Sequence, residues 1–180
     1  MSAVPHVFDK RQVIANGSTG ALTIPIDFWK ANGMRPGMRC RLTLQTDGVL
    51  LIQLVAEAND VNGGSTWNVV KLDIFGLPER PHVMPAVVIE GKKVVRNGLN
   101  SPAVTVNNRL ADLIDMEIHD WTIPRMYRDG SVTFQLLEKV DTGNTTRFTP
   151  LVRYIPSQND CVPIVPSRRR QPAQRQVNGF

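Results

Sequence analysis

The sequence predicts a mainly β fold with short helices, arranged as one pseudo-symmetric β-barrel. Three observations carry this expectation. Residues 13–53 and 95–135 align without a gap, 82 positions apart. Short alternating apolar runs are separated by Gly, Pro and Asn turns, the pattern of strands rather than long helices. An Asp-Gly pair, a strong hairpin signal, recurs at the same place in each copy. Seven aligned pairs are identical: Val13/Val95, Ala21/Ala103, Thr23/Thr105, Met34/Met116, Asp47/Asp129, Gly48/Gly130 and Gln53/Gln135. Apolar character matches at Leu22/Val104, Ile24/Val106, Phe28/Leu110, Leu50/Val132 and Ile52/Phe134. Identity at this level with shared punctuation is the mark of an old duplication.

Each copy reads in order as β-turn-β-α-β-hairpin-β. An extended run, 11–15 or 93–96, enters a polar turn built on Asn16-Gly17-Ser18-Thr19 or on residues 97–101. The next strand buries Leu22 and Ile24, or Val104 and Val106. A helix of about two turns follows, with Pro25 in its first turn and Gly33 at its C-terminal end, or with Asn107 or Asn108 as its cap. Arg35-Pro36-Gly37-Met38 makes a turn, and two strands then flank the Asp-Gly hairpin. A unit of about forty residues is too small to bury its own apolar face. Two copies in one chain, or copies paired across two chains, supply the missing partner.

The remaining segments divide into a β-rich connector, 54–91, an extended strand, 139–156, and a basic tail, 157–180, around repeats placed at 10–53 and 92–138. Within the connector, 66–75 and 86–90 read as strands, as does 147–156. Arg168, Arg169 and Arg170 lie in a tail with little to bury, which predicts disorder and contact with nucleic acid or a protein partner.

Charge and cysteine usage narrow the function classes. The net charge is +5. Residues 10–53 carry +4, the connector −3, residues 92–138 zero, and residues 141–180 +4. The cationic candidates for a polyanion surface are therefore the first copy and the tail. Cys40 and Cys161 show no metal-ligand spacing, which fits a reducing compartment. No apolar run reaches the ~18–20 residues of a membrane helix, and residues 1–12 lack the apolar core of a secretory signal. The expected location is cytoplasmic, and nucleoid-associated if DNA is bound.

No catalytic constellation emerges. His6, His82 and His119 are isolated, and no phosphate-binding glycine loop is present. Asp112, Asp115, Glu117 and Asp120 read as a solvated helix end rather than a metal site. We therefore expect no enzyme, cofactor or metal. Trp67, Trp121 and Tyr127 read as packing residues, and Arg39 and Arg41 as an ordinary solvated strand face.

Gly20, Ile24, Pro25, Phe28, Gly33, Pro36, Gly37, Asp47, Gly48 and Ile52 together resemble the SpoVT/AbrB swapped-hairpin domain. In the second copy Arg96, Gly98, Asn100, Ser101, Ala103 and Val104 are similar to the MazE antitoxin variant, with Leu99 inserted and Asn107 where that pattern has Pro. The tandem layout resembles MraZ proteins, without their charged turn. The resemblance implies a swapped-hairpin barrel that binds double-stranded DNA, as a transcriptional regulator or antitoxin-like repressor. It implies contacts from Lys10, Arg11, Asn16, Ser18, Thr19 and Lys30 in the first copy. In the second it implies Lys92, Lys93, Arg96, Asn100 and Ser101. Arg96 is the candidate for base readout, because its planar fork matches guanine in the major groove. Ala21 and Thr105 stand where the family carries basic residues. The alternative expectation is a structural or assembly protein, of a phage or a large complex, in which the barrel, strand 147–156 and the tail bind protein. A homo-oligomer is compatible with both.

Overall fold

The computed structural model describes residues 6–59, 61–97 and 101–157. The first part of the chain forms β1 (His6–Val7), β2 (Arg11–Gln12), β3 (Ile14–Asn16), β4 (Thr19–Thr23), α1 (Ile26–Ala31), β5 (Arg39–Gln45), β6 (Leu50–Asn59) and β7 (Ser65–Val69). The second part forms β8 (Pro85–Lys93), β9 (Val95–Asn97), β10 (Ser101–Val106), α2 (Asn108–Ile114), β11 (Trp121–Met126), β12 (Val132–Asp141) and β13 (Thr146–Pro150). The mainly β class holds. The single closed barrel is not found: the strands fall into a nine-stranded sheet and a four-stranded sheet.

Both sheets are assembled across the two halves. In the smaller sheet, of order β3-β4-β10-β9, the central strands pair Leu22 with Val104, flanked by Thr23 with Ala103 and Ala21 with Thr105. In the larger sheet β6 meets β12 through Leu51 and Thr133, flanked by Leu50 with Phe134 and Ile52 with Val132. Each central pair joins residues 82 positions apart, and exchanging the copies leaves both registers unchanged. A local twofold therefore relates the halves through these two pairs. The path of the larger sheet, β1-β11-β12-β6-β5-β8, reads the same way from either end under this exchange.

The halves also trade their leading strands. β1 and β2 lie on β11, whereas β8 lies on β5. Beyond β2, the Val13 N–H donates to the Asp120 carbonyl at 2.8 Å and its carbonyl accepts from His119 at 2.7 Å. Val94 does the same with Met38 and Gly37, each at 2.8 Å. Val94, not Val95, is thus the counterpart of Val13, which corrects the gapless alignment. Two residues separate the paired ends of β3 and β4, Asn16 and Thr19, while three separate Asn97 from Ser101. The second copy thus has one more residue at this place in the sequence, where Leu99 departs from the antitoxin pattern.

The repeat is also longer than its sequence signal. β7 pairs with β6 from Val55↔Val69 to Asn59↔Ser65, and β13 pairs with β12 from Leu137↔Pro150 to Asp141↔Thr146. The chain then crosses to the other half's hairpin turn in both cases. Leu72 and Ile74 donate to the carbonyls of Asp129 and Arg128, and Arg153 and Ile155 to those of Asp47 and Thr46. The connector and the extended strand are therefore equivalent final segments of two interlocked units. Each expected strand there is shorter than the apolar run: 66–75 becomes Ser65–Val69, and 147–156 becomes Thr146–Pro150. Val70 and Leu151 still donate to Leu54 of β6 and Leu136 of β12, and beyond them the backbone bonds to turns.

The core lies between the sheets and the two helices. Leu22, Ile24, Phe28, Leu44 and Ile52 are buried together with their counterparts Val104, Val106, Leu110, Met126 and Phe134. Large apolar groups removed from water on both sides of the twofold make neither half's core complete alone. Leu22 and Val104 face this core. Alternation then puts Ala21, Thr23, Ala103 and Thr105 on the other face of the small sheet.

Candidate nucleic-acid interface

Two segments without any Asp or Glu, 28–46 and 91–107, meet at one edge of the molecule. Their junction is built from backbone. Gly37 donates to Val94, Val94 donates to Met38, and Arg39 and Lys93 are cross-strand partners. Pro36 and Gly37 turn the chain sharply after α1, with Gly37 at φ +96. This brings the start of β5 beside the end of β8. β9 then leaves along the outside of β10, pairing Arg96 with Pro102.

Seven cations sit on these segments: Lys30, Arg35, Arg39, Arg41, Lys92, Lys93 and Arg96. Two are engaged within the fold. Arg41 pairs with Glu90 at 2.5 Å, and the half-buried Lys92 ammonium donates to the Asn107 side-chain oxygen. Burial lowers the Lys92 pKa, while the nearby Cys40 thiol acts in the opposite direction. The other five are exposed, and none forms an ion pair among the described residues. Arg39 donates to the Gly91 carbonyl at 3.0 Å, which holds its guanidinium at the edge. Five exposed cations, bordered by the exposed Asp27 of α1 and by the Arg41-paired Glu90, create a local positive potential that attracts polyanions.

The expected contact residues are divided between the two edges. Lys30, Lys92, Lys93, Arg96 and Ser101 lie on or next to the acid-free edge. Lys10, Arg11, Asn16, Ser18 and Thr19 lie at the opposite edge, with β2, β3 and β4. The Lys10 ammonium sits 5.0 Å from the centre of the Phe148 ring, and the Arg11 guanidinium donates to Thr23 Oγ1 at 3.4 Å. Thr19 Oγ1 donates to the Asn16 carbonyl at 2.9 Å, closing the turn on itself. This edge abuts α2 and the segment after it, which carry Asp112, Asp115, Glu117 and Asp120. Asn100, Arg168, Arg169 and Arg170 lie outside the described residues.

Arg35 and Arg39 belong to the edge although the sequence reading left them out. Arg39 read as part of a solvated face, and it is exposed; its significance comes from Lys93 opposite it, 54 residues further along the chain. The only signal in the chain was the absence of acidic residues from both segments. The aromatic residues pack as expected. Trp121 meets Phe148 edge-on at 5.4 Å, Tyr127 is buried, and the Trp67 ring lies against Gly91.

No group of three or more metal-ligating side chains converges among the described residues. No helix among them is long and apolar enough to cross a membrane. No known protein family, curated protein or solved structure matches the chain.

Proposed function

We propose that the exchanged strands are a swapped-hairpin arrangement of the SpoVT/AbrB type, formed within one chain. The protein is then a non-enzymatic DNA-binding regulator of transcription, or an antitoxin-like repressor, with no cofactor. The observation that carries this reading is the acid-free edge, with Lys30, Arg35, Arg39, Lys93 and Arg96 exposed. Phosphate contacts supply most of the affinity of such surfaces, and the bound protein displaces condensed counterions. Arg96, paired with Pro102 next to Ser101, is the residue proposed for base readout. The opposite edge carries carboxylates and repels phosphate, so the duplex binds on one side of the pseudo-dyad only.

A mobility-shift titration on mixed duplex fragments at several salt concentrations tests this. Four phosphate contacts, from Lys30, Arg35, Arg39 and Lys93, predict a log–log salt slope of about −3 to −4. The combined change Arg39→Ala, Lys93→Ala, Arg96→Ala should flatten that slope by about two and relax any sequence preference. The same changes at Lys10 and Arg11 should leave it nearly unaltered. Absence of any shift at low salt rejects the proposal. Loss of binding only on removing 158–180 assigns it to the tail. An assembly role keeps one supporting observation: Val152 and Tyr154, beyond β13, are 79% and 80% exposed, as suits a protein contact.

A further inference from the structure

A cleft of about 360 Å³ opens between α1 and β10, at the cationic edge. The Trp29 indole, Pro36 and Pro102 supply flat apolar walls, and buried Met34 is part of its lining. Lys30 and Arg35 supply two exposed cations. The Lys30 ammonium lies 6.0 Å from the Trp29 ring centre, so charge and aromatic surface are adjacent. Flat walls suit a planar ring, and cations beside them suit a phosphate. The volume falls at the small end of the range for ligand sites, enough for one such unit and no more.

The second half of the molecule provides an internal comparison. At the positions 82 residues away, Trp29 becomes Ala111, Pro102 becomes Gly20 and Pro36 becomes Ile118, so the aromatic wall and both prolines are absent. Lys30 becomes Asp112 and Arg35 becomes Glu117, so both cations are reversed. The buried residue is kept, as Met34 and Met116. The two units share core and register at this place and differ in the residues a ligand would touch. Packing does not require that divergence, because Lys30, Arg35, Asp112 and Glu117 are all exposed.

We propose that the cleft receives one unpaired nucleotide of a nucleic-acid strand, its base stacked on Trp29 and its phosphate between Lys30 and Arg35. This rests on the nucleic-acid reading of the cationic edge and adds a preference: duplexes with an unpaired end or a frayed base pair bind more tightly than blunt ones. Base–aromatic stacking is sequence-tolerant, so the preference is for an unpaired base rather than for a particular one.

The test compares a blunt DNA duplex with the same duplex bearing a three-nucleotide single-stranded overhang. Affinities are measured together with the Trp29 indole N–H resonance. The overhang should bind roughly 10-fold more tightly and move that resonance. Trp29→Ala should abolish the advantage while leaving blunt-duplex affinity within about twofold, and Trp29→Phe should retain most of it. Equal affinities with an unmoved resonance overturn the cleft proposal and leave duplex binding intact. Movement of the resonance by thymidine 5′-monophosphate, without duplex binding, overturns the duplex reading alone. No response to any probe overturns both. The resonance is read in the unaltered protein, so misfolding of Trp29→Ala does not remove the test.

Discussion

Cys40 has no exposed surface, and its Sγ donates to the Lys92 carbonyl at 3.4 Å. Burial pushes the thiol up to about 12, against the smaller opposing effect of the Lys92 charge. The thiol is thus raised above its unfolded value of 9.0. Between those values the native state keeps a proton that the unfolded chain loses. The stabilisation is complete below pH 9 and falls through this window by about 1.4 kcal/mol per pH unit. Lys92 acts with the opposite sign, because a lowered ammonium pKa makes the native state shed its proton first as pH rises toward 10.5. Urea denaturation of the parent and of Cys40→Ala from pH 8 to 11 separates the two groups. The parent's advantage over Cys40→Ala should shrink steadily above about pH 9, and a constant difference would refute the neutral buried thiol. Such residue properties were half legible. Alternation placed Cys40 inside and Arg39 outside, but nothing local to residue 40 named Lys92 as its neighbour. That contact crosses from β5 to β8, and cross-strand partners far apart in the chain leave no short-range pattern.

The turns after the two helices show how an element survives the loss of its usual residues. α1 is followed by Gly33 at φ +61 and Gly37 at φ +96. At the same places in the second half stand Asp115 at φ +53 and His119 at φ +78. These backbones are left-handed, where a Cβ costs roughly 1–2 kcal/mol and Asp is tolerated better than most residues. The strain is held by the surrounding bonds, since the His119 N–H donates to Val13 at 2.7 Å as Gly37 does to Val94. Because the His119 side chain is exposed, His119→Gly should raise stability by about 0.5–1 kcal/mol after the greater freedom of unfolded glycine is subtracted. A thermal melt decides it, and a lower melting temperature would show that the imidazole makes a stabilising contact. Helix and hairpin positions were legible because their signals are local. Gly33 follows α1, and the Asp47 and Asp129 carboxylates accept from the N–H groups of Val49 and Ser131 at 3.1 and 3.0 Å. The ends of β7 and β13 were not legible. Their apolar runs continue past the ladder to cover the other half's hairpin turn.

The whole molecule is two interlocked units joined by a single crossing between β7 and β8. The halves share both sheets, exchange leading strands and exchange final segments, so the contacts between them do not depend on that crossing. Phe75, within it, is 98% exposed and offers a protease an accessible site. Chain cleavage there should leave a complex of unchanged size on gel filtration that separates into two fragments under denaturing conditions. Dissociation on cleavage would mean that the interlock contributes little to cohesion. The exchange also explains the charge asymmetry. Each edge combines a helix turn from one half with a leading strand from the other, so drift within any one of these elements changes the charge of one edge only.

The sequence by itself determined the β class, both helices and the Asp-Gly hairpins, because each rests on residues within a few positions of one another, and the duplication, because the same local patterns recur 82 positions apart. Tertiary structure decided that the strands are divided between two sheets. It also set the true length of the repeat and the grouping of Lys30, Arg35, Arg39, Lys93 and Arg96 at one edge. Those outcomes depend on pairings between segments tens of residues apart, whose register is set by the core they jointly bury.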